Sequence, residues 1–225
     1  MKREIILTGD GSPTIYLPDL DEPYHSIHGA IQESQHVFIQ NGLHEFRNQK
    51  NISILEIGLG SCLNALLTAI AGKENNCSII HYTGIEAFPL TELEQDKMNY
   101  AQNLANSTAL EIQKAINQVP WNTSKNIHSS FILTKVFGKV QEIELIPEEF
   151  DIVYFDAFGP RAQAEMWTKE LFSKLFKTLK NNGLFVTYCA KGQVKRDLIT
   201  VGFEVENRPG PPGKREITLA WKRFY

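Results

Sequence analysis

Three acidic residues stand where apolar, strand-like segments of this sequence end. Glu56 lies in ILEIGLGSCLNALL, Glu86 closes SIIHYTGIEA, and Asp156 ends FDIVYFDAF before a turn. In an open α/β sheet, ligands bind beyond the carboxyl ends of the central strands, so we expect the three acids to face one crevice. A carboxylate there suits an amine nucleophile, because it orients N–H groups and stabilises the positive charge of an attacking nitrogen. For Asp156 the alternative is a turn-forming or helix-capping role.

A Gly-x-Gly turn, Gly58 and Gly60, follows Glu56 directly. Glycines at this place allow a tight turn and a close approach of a ligand to the backbone. The next helix then offers its N-terminus to a polar or anionic group. A dinucleotide-binding fingerprint would need a third glycine where the chain has Leu63, and an acid about 20 residues further on. A nicotinamide-dependent oxidoreductase is therefore disfavoured.

Glu56, the glycine turn and Glu86 together resemble the S-adenosylmethionine site of class I methyltransferases. In such a site, a carboxylate near the turn holds the methionine ammonium, and an acid at the second strand tip accepts both ribose hydroxyls. The alternative is a turn that uses glycine only to bend. The resemblance implies that Asp156 is catalytic, and it implies these cofactor-binding residues: Glu56, Gly58, Gly60, Asn64, Glu86, Ala87 and Asp156.

From residue 51 onward, helix-like segments alternate with continuous apolar strands. This pattern predicts an α/β fold, with a mostly parallel sheet, helices on both faces and an antiparallel C-terminal hairpin. The class I methyltransferase resemblance implies a Rossmann-like sheet of seven strands. Residues 1–50 differ, with a hairpin turn at 10–13 and a helix over 30–46 that bends near Asn41-Gly42. We expect an N-terminal extension, 1–50, that caps the cofactor site of a methyltransferase domain, 51–225.

The composition is that of a globular protein, with 225 residues of which 42% are hydrophobic and 22% charged. Three cysteines without a Cys-x-x-Cys pair argue against a disulfide framework and for a reducing compartment. His25, His28 and His36 lack partners at ligand spacing, so we expect no metal. We also expect a cytoplasmic protein without membrane contact, because neither a signal peptide nor a run of about 18 apolar residues is present.

The charge is uneven, although the formal net charge is only −3. Residues 161–225 contain 13 Lys and Arg against 6 Asp and Glu, whereas the preceding part is acidic. A basic segment on an acidic body is typical of a surface that binds a polyanion. The alternative is a set of solvated helix faces that are rich in lysine.

Further stretches resemble one family, the MnmC-type methyltransferases of 5-methylaminomethyl-2-thiouridine biosynthesis in tRNA. They are GAIQESQHVFIQNGL, IEAFPLTELE, DAFGPRAQAEMWTKELF, TYCAKGQVKRDLITVGFEV and RPGPPGKREI, which with the cofactor turn extend from about Tyr24 to Lys222. The resemblance implies methyl transfer from S-adenosylmethionine to the amine of 5-aminomethyl-(2-thio)uridine at the wobble position. A chain of this length has no room for the fused FAD oxidase domain, so we expect the stand-alone, MnmD-like form. Other tRNA-modifying enzymes would supply the aminomethyl-uridine.

A tRNA substrate gives the basic C-terminal part a role, because lysine and arginine neutralise phosphates, here those of the anticodon stem-loop. A flipped wobble base would stack on an aromatic side chain such as Phe158, Trp167 or Tyr188. For Trp167, a core position in its amphipathic helix is favoured. Five basic residues are the candidate tRNA contacts: Lys191, Lys195, Arg196, Lys214 and Arg215.

Two departures from the family pattern keep other functions open. Cys62 stands where a third glycine is usual, and Lys139 replaces an acid, so the adenine amino group needs another partner. Both departures favour a non-catalytic tRNA-binding module of the same fold, whereas the intact Glu56, Glu86 and Asp156 oppose it. The aspartate after the fourth strand also fits an aminopropyltransferase-like enzyme acting on a polyamine. The basic C-terminal part of this chain, however, does not suit a cationic substrate.

Overall fold

The computed structural model describes residues 2–75 and 79–223, which form a large eight-stranded sheet and a separate three-stranded sheet. The strands are β1 (Glu4–Leu7), β2 (Pro13–Leu17), β3 (Glu22–Pro23), β4 (Asn51–Ile57), β5 (Ile79–Glu86), β6 (Thr123–His128), β7 (Phe131–Phe137), β8 (Phe150–Phe155), β9 (Leu179–Thr187), β10 (Glu204–Pro209) and β11 (Glu216–Trp221). The α-helices are α1 (Ala30–Ser34), α2 (Leu63–Asn75), α3 (Glu92–Lys97), α4 (Ala109–Asn117), α5 (Lys169–Thr178) and α6 (Gly192–Val201). No helix in these two ranges is both long and apolar enough to cross a bilayer.

The large sheet has the strand order β10-β11-β9-β8-β4-β5-β7-β6. The five strands from β9 to β7 in that order run parallel, and β10 and β11 add an antiparallel hairpin at one edge. The predicted Rossmann-like α/β fold is confirmed, with one strand more than the expected seven. The additional strand is β6, which pairs antiparallel with β7 at the other edge. Its sequence TSKNIH is polar and largely exposed, so it carries no apolar strand signal.

Strand β8 shows how the sheet is covered on both faces, because all six of its residues are buried. Side chains of successive residues point to opposite faces of a strand. Ile152 and Tyr154 accordingly pack in the core beneath α2 and α4, whereas Val153 and Phe155 pack in the core beneath α5 and α6. Burial on both faces explains the uninterrupted apolar run that ends at Asp156.

The N-terminal segment forms the predicted hairpin, since β1 and β2 pair antiparallel around residues 8–12. After α1 the chain continues as a π-helix over Gln35–Gln40 and a 3₁₀ helix over Leu43–Phe46. The predicted bend is present, and a Cβ at Gly42 would lie 2.4 Å from the Phe38 carbonyl oxygen. Phe38 itself packs in the same core as the central sheet, so the segment is joined to the sheet by apolar contact.

Candidate active site

A cavity of about 1000 Å³ opens at the carboxyl ends of β4, β5 and β8. Strand β4 lies between β5 and β8, so the strand order reverses at this point, which is where open α/β sheets bind ligands. The volume lies at the upper end of the usual range for small-molecule sites, which leaves room for a cofactor and part of a second substrate. All seven predicted cofactor-binding residues line it.

The turn after β4 requires its glycines for two separate contacts. Gly58 has a φ of 87°, and a Cβ there would lie 2.7 Å from the carbonyl oxygen of Asp156. Gly60 has a φ of 49°, and a Cβ there would lie 3.3 Å from the ring of Tyr24. The backbone at this turn therefore lies directly against the loop after β8 on one side and the N-terminal extension on the other.

Cys62 also adopts a left-handed conformation, with a φ of 62°. Residues other than glycine adopt this region at a cost in backbone strain, so the usual third glycine would fit here without that cost. The Cys62 side chain is buried in the core, and burial raises the pKa of its thiol to about 11. The thiol is therefore protonated at neutral pH and unreactive as a nucleophile.

Backbone amides fix the carboxylate of Glu86 at the tip of β5. The Gly60 amide donates to Oε2 at 2.8 Å, and the Phe88 amide donates to Oε1 at 2.7 Å. The first bond connects the acid to the glycine turn, so both parts of the predicted cofactor site share one rigid geometry. Each oxygen retains a further lone pair, which suits a pair of ribose hydroxyls.

Asn64, near the start of α2, connects the other two acids. Its Nδ2 donates to Glu56 Oε1 and to Asp156 Oδ2, both at 2.8 Å, and the Tyr82 hydroxyl donates to Glu56 Oε2 at 2.8 Å. Asn64 is 2% exposed, and its Oδ1 has no hydrogen-bond partner within the described residues. A buried, unpaired acceptor beside two carboxylates suits a donor group such as an ammonium.

The surroundings of the two linked acids raise both of their pKa values. Burial raises the pKa of Glu56 well above its usual range, even though Asn64 and Tyr82 donate to it. Burial, reinforced by the negative charge of Glu33, raises the pKa of Asp156 to about 7, while the Asn64 bond and the Lys214 charge act in the opposite direction. Asp156 can therefore gain or lose a proton near neutral pH, as a general base must.

The N-terminal extension contributes residues to the cavity that the sequence did not indicate. The Tyr24 ring lies edge-on to the ring of Phe158 at 5.1 Å, beside the cavity that both line. Arg3 donates to the carbonyls of Phe88 and Pro89, at 2.7 and 3.2 Å, and forms an ion pair with Glu94 at 3.0 Å. These contacts join parts of the chain more than 60 residues apart, so no local pattern reveals them.

At the predicted adenine end of the site, position 139 is a lysine and not the usual acid, but other polar groups are present. Lys139 lines the cavity but is largely exposed, and it lies 3.8 Å from Glu142 in an ion pair. Gln141 and Glu142 line the cavity beside it. Either side chain supplies an oxygen acceptor of the kind an amino group needs.

The five predicted tRNA contacts do not form one free basic surface. Lys191, Arg196 and Arg215 are exposed, with Lys191 at the N-terminus of α6. Lys195 instead forms an ion pair with Glu216 at 2.7 Å, and Lys214 forms one with the buried Glu33.

Trp167 lies in the core, as favoured, but it precedes α5 and is not part of that helix. Its Nε1 donates to the Phe158 carbonyl at 2.7 Å. Phe158 and Tyr188 are both partly buried, and only Phe158 lines the described cavity.

The sequence model of a family described as S-adenosyl-L-methionine-dependent methyltransferase matches residues 99–223. The chain belongs to this family. The expected cofactor and enzyme class are thereby confirmed. In such a methyltransferase, S-adenosylmethionine supplies an electrophilic methyl group. The unpaired Asn64 Oδ1, the glycine turn and the fixed Glu86 carboxylate form a set of groups that fits this cofactor.

Two relatives resemble this methyltransferase over nearly its whole length. The tRNA 5-methylaminomethyl-2-thiouridine biosynthesis bifunctional protein MnmC of Cupriavidus metallidurans is 32% identical over 231 residues, which cover 96% of this chain and 33% of the relative. This methyltransferase thus spans about a third of the length of the curated relatives it matches. The crystal structure of MnmC2 from Aquifex aeolicus has a TM-score of 0.80 at 27% identity, covering 97% of this chain and 70% of that one.

A more distant solved structure shares the fold alone. A probable spermidine synthase from Corynebacterium glutamicum has a TM-score of 0.56 at 15% identity, covering 99% of this chain and 77% of that one. The arrangement of strands and helices is therefore not specific to one acceptor, and the acceptor must be argued from the site.

Proposed function

We propose that this methyltransferase acts on tRNA, where it methylates the amine of 5-aminomethyl-(2-thio)uridine at the wobble position and forms 5-methylaminomethyl-(2-thio)uridine. The observation that carries the proposal is Asp156, a carboxylate at the cavity wall with a pKa of about 7, hydrogen-bonded to Asn64. Such a group suits an amine acceptor, because it can orient the amine and take its proton, and the names of the MnmC relatives supply the nucleoside.

Each acid then has one role in the reaction. Glu56 and the free Oδ1 of Asn64 hold the methionine ammonium, and Glu86 accepts the ribose hydroxyls. Asp156 accepts an N–H of the substrate amine and directs the nitrogen lone pair at the methyl carbon. The N–C bond forms as the S–C bond breaks, and the proton released by the nitrogen passes to Asp156.

The N-terminal extension, residues 1–50, caps the cofactor in this proposal. Tyr24 rests on the glycine turn, and Arg3 holds the segment after Glu86 in place. Phe158 stacks on the flipped uracil ring beside the cavity, as aromatic side chains do for unstacked bases.

The anticodon stem-loop lies across the exposed Lys191, Arg196 and Arg215. A tRNA substrate places the reaction in the cytoplasm. Other modifying enzymes must first build the aminomethyl group on the uridine.

A methyl-transfer assay tests the proposal. The protein is incubated with S-adenosylmethionine and tRNA from cells that cannot complete this modification, and the digested nucleosides are analysed by mass spectrometry. We expect aminomethyl-uridine to be converted to methylaminomethyl-uridine. Asp156→Asn should lower the rate of conversion about 10²- to 10⁴-fold. Asp96→Asn, a matched change at an exposed helix position, should leave the rate unchanged.

The negative results distinguish the two alternative functions. If the cofactor binds in calorimetry but tRNA is not modified, the acceptor is wrong, and polyamines are assayed next for group transfer. If neither binding nor conversion occurs, the chain is a non-catalytic module that has kept the fold.

A further inference from the structure

Glu33 in α1 and Lys214, in the loop between β10 and β11, form an ion pair that no local sequence pattern indicates. The Glu33 side chain is only 8% exposed, and its second oxygen accepts the Ser26 amide at 2.7 Å. Burying a carboxylate is costly unless it is paired and hydrogen-bonded, and here both conditions are met.

Contacts connect this pair to the loop that holds Asp156. The Lys214 Nζ lies 3.9 Å from the centre of the Tyr188 ring, in a cation–π contact. The Tyr188 hydroxyl donates to the carbonyl of Ala157 at 2.9 Å. Ala157 is the neighbour of Asp156, so the ion pair supports the backbone on which the proposed catalytic carboxylate stands.

The backbone around the pair is fixed as well. Gly213 has a φ of 87°, and a Cβ there would lie 2.2 Å from the His28 ring, so the loop packs tightly on the extension. The His36 Nε2 and the Pro209 carbonyl oxygen are 2.8 Å apart. The Lys214 side chain is therefore held against Glu33 and the Tyr188 ring.

The pair also carries the two opposite charges that act on Asp156. The negative charge of Glu33 raises the pKa of Asp156, and the positive charge of Lys214 lowers it by less. Two other groups that interact with Asp156 are Tyr188 and Tyr100. Burial raises the pKa values of both hydroxyls, so both are neutral at pH 7.

The remaining neighbours contribute little charge of their own. Burial lowers the pKa of His25 to about 4, so this residue is neutral too. Glu56 and Asp156 accept hydrogen bonds from the same Asn64 amide, and burial raises the pKa of Glu56.

We propose that Glu33 and Lys214 are positioning residues of the acceptor site, whose ion pair holds the Asp156 loop through Tyr188 and Ala157 and sets the charge around the Asp156 carboxylate. This role rests on the proposed function, because it assumes that Asp156 meets an amine. It assigns Lys214 to the acceptor site, in place of the tRNA contact that the sequence predicted.

A carboxyl titration followed by ¹³C NMR measures the effect directly. Protein labelled at the Asp carboxyl carbons is titrated from pH 4 to 9, and the Asp156 signal is identified by its loss in Asp156→Asn. The variants are Glu33→Gln, Lys214→Gln and the double variant Glu33→Gln/Lys214→Gln. Lys195→Gln is the matched control, because it breaks the Lys195–Glu216 ion pair elsewhere on the C-terminal part.

The proposal predicts an order of midpoints for Asp156. Glu33→Gln has the lowest midpoint, roughly half a unit or more below that of the unchanged protein. The double variant follows, then the unchanged protein and Lys195→Gln together, and Lys214→Gln has the highest midpoint. The acid limb of the methyl-transfer rate should move in the same order.

The proposal would be overturned if the Asp156 midpoint were equal in all variants, or if it were higher in Glu33→Gln than in the unchanged protein. If a single variant fails to bind cofactor in calorimetry, the midpoint of the double variant is used as the test. Both of its side chains are neutral glutamines, so it contains no buried charge without a partner. Its midpoint must then lie slightly below that of the unchanged protein, and a midpoint equal to or above it contradicts the proposal. Should the order hold while tRNA is not methylated, the proposed function fails and the charge coupling stands.

Discussion

At the scale of single residues, the proposed role of Asp156 is proton transfer at the acceptor, so replacing it should affect turnover and not affinity. We expect Asp156→Asn to lower kcat about 10²- to 10⁴-fold, the usual contribution of a general base. Binding of tRNA, measured by gel shift, should stay within about twofold, because the phosphate contacts lie elsewhere. A parallel loss of tRNA binding would show that Asp156 has a structural role.

In the proposed reaction, Asp156 also sets how the rate depends on pH. Burial raises the pKa of Asp156 to about 7, and the ionised form is the one that accepts the proton. The rate at limiting substrate should therefore rise between pH 6 and 8, with its acid limb near 7. That limb should be absent from the residual activity of Asp156→Asn, and a flat profile in the unchanged protein would contradict this assignment.

In the proposed function, Glu86 contributes to cofactor binding and not to the chemical step. Glu86→Gln keeps the shape of the side chain but removes the charge that strengthens its hydrogen bonds. Charge-assisted bonds contribute roughly 1.5–3 kcal/mol, so cofactor affinity in calorimetry should fall about 10- to 100-fold. Glu92→Gln, a matched change at an exposed position of α3, should leave the affinity unchanged. Equal affinity in both variants would exclude Glu86 from the cofactor site.

At the scale of elements, we propose that the N-terminal extension closes the cofactor site through the ring of Tyr24. The Tyr24 ring lies against Gly60 and beside Phe158, so the face of this ring covers the glycine turn. Tyr24→Leu should weaken cofactor binding roughly tenfold, since a well-packed aromatic ring contributes on the order of 1 kcal/mol beyond its burial. Tyr24→Phe keeps the ring and should stay within about twofold. If the two variants lose the same affinity, the Tyr24 hydroxyl, which hydrogen-bonds with Arg3, matters more than the ring.

The turn between β4 and α2 contains a non-glycine residue in a left-handed conformation, Cys62. Cys62→Val should lower the free energy of unfolding by about 1–3 kcal/mol, because a β-branched side chain is strained there. Cys62→Gly should change it by less, because relief of strain offsets the loss of a small buried side chain. Urea unfolding measures both, and an unchanged Val variant would show that the turn relaxes freely.

The elements also show what the sequence alone can predict. The central strands and the positions of Glu56, Glu86 and Asp156 were predictable, because double burial produces apolar runs and because parallel strands end at one edge. Strand β6 was not, since its residues are polar and it is stabilised by pairing with β7. The proposed roles of Tyr24 and Lys214 depend on tertiary contacts between distant segments, which no local sequence pattern indicates.

At the scale of the whole molecule, the basic C-terminal part should determine how salt affects tRNA binding. Each phosphate contact contributes roughly 0.7–0.9 to the slope of log affinity against log salt concentration. Lys191→Gln and Arg215→Gln together should therefore reduce that slope by about 1.5, because both side chains are exposed. Lys195→Gln should reduce it by less, since Lys195 is already paired with Glu216. Equal slopes in all variants would place the tRNA on another surface.

The ion pair between Glu33 and Lys214 joins residues 181 positions apart in the chain. A ribosome adds about 5–20 residues per second, so roughly 9–36 s pass between the synthesis of these two residues. During that interval the glycine turn, Glu86 and Asp156 have all been made, while the cation that balances Glu33 has not. A half-made chain would then have a cofactor turn but no finished acceptor site, so the enzyme would become competent only late in its own synthesis.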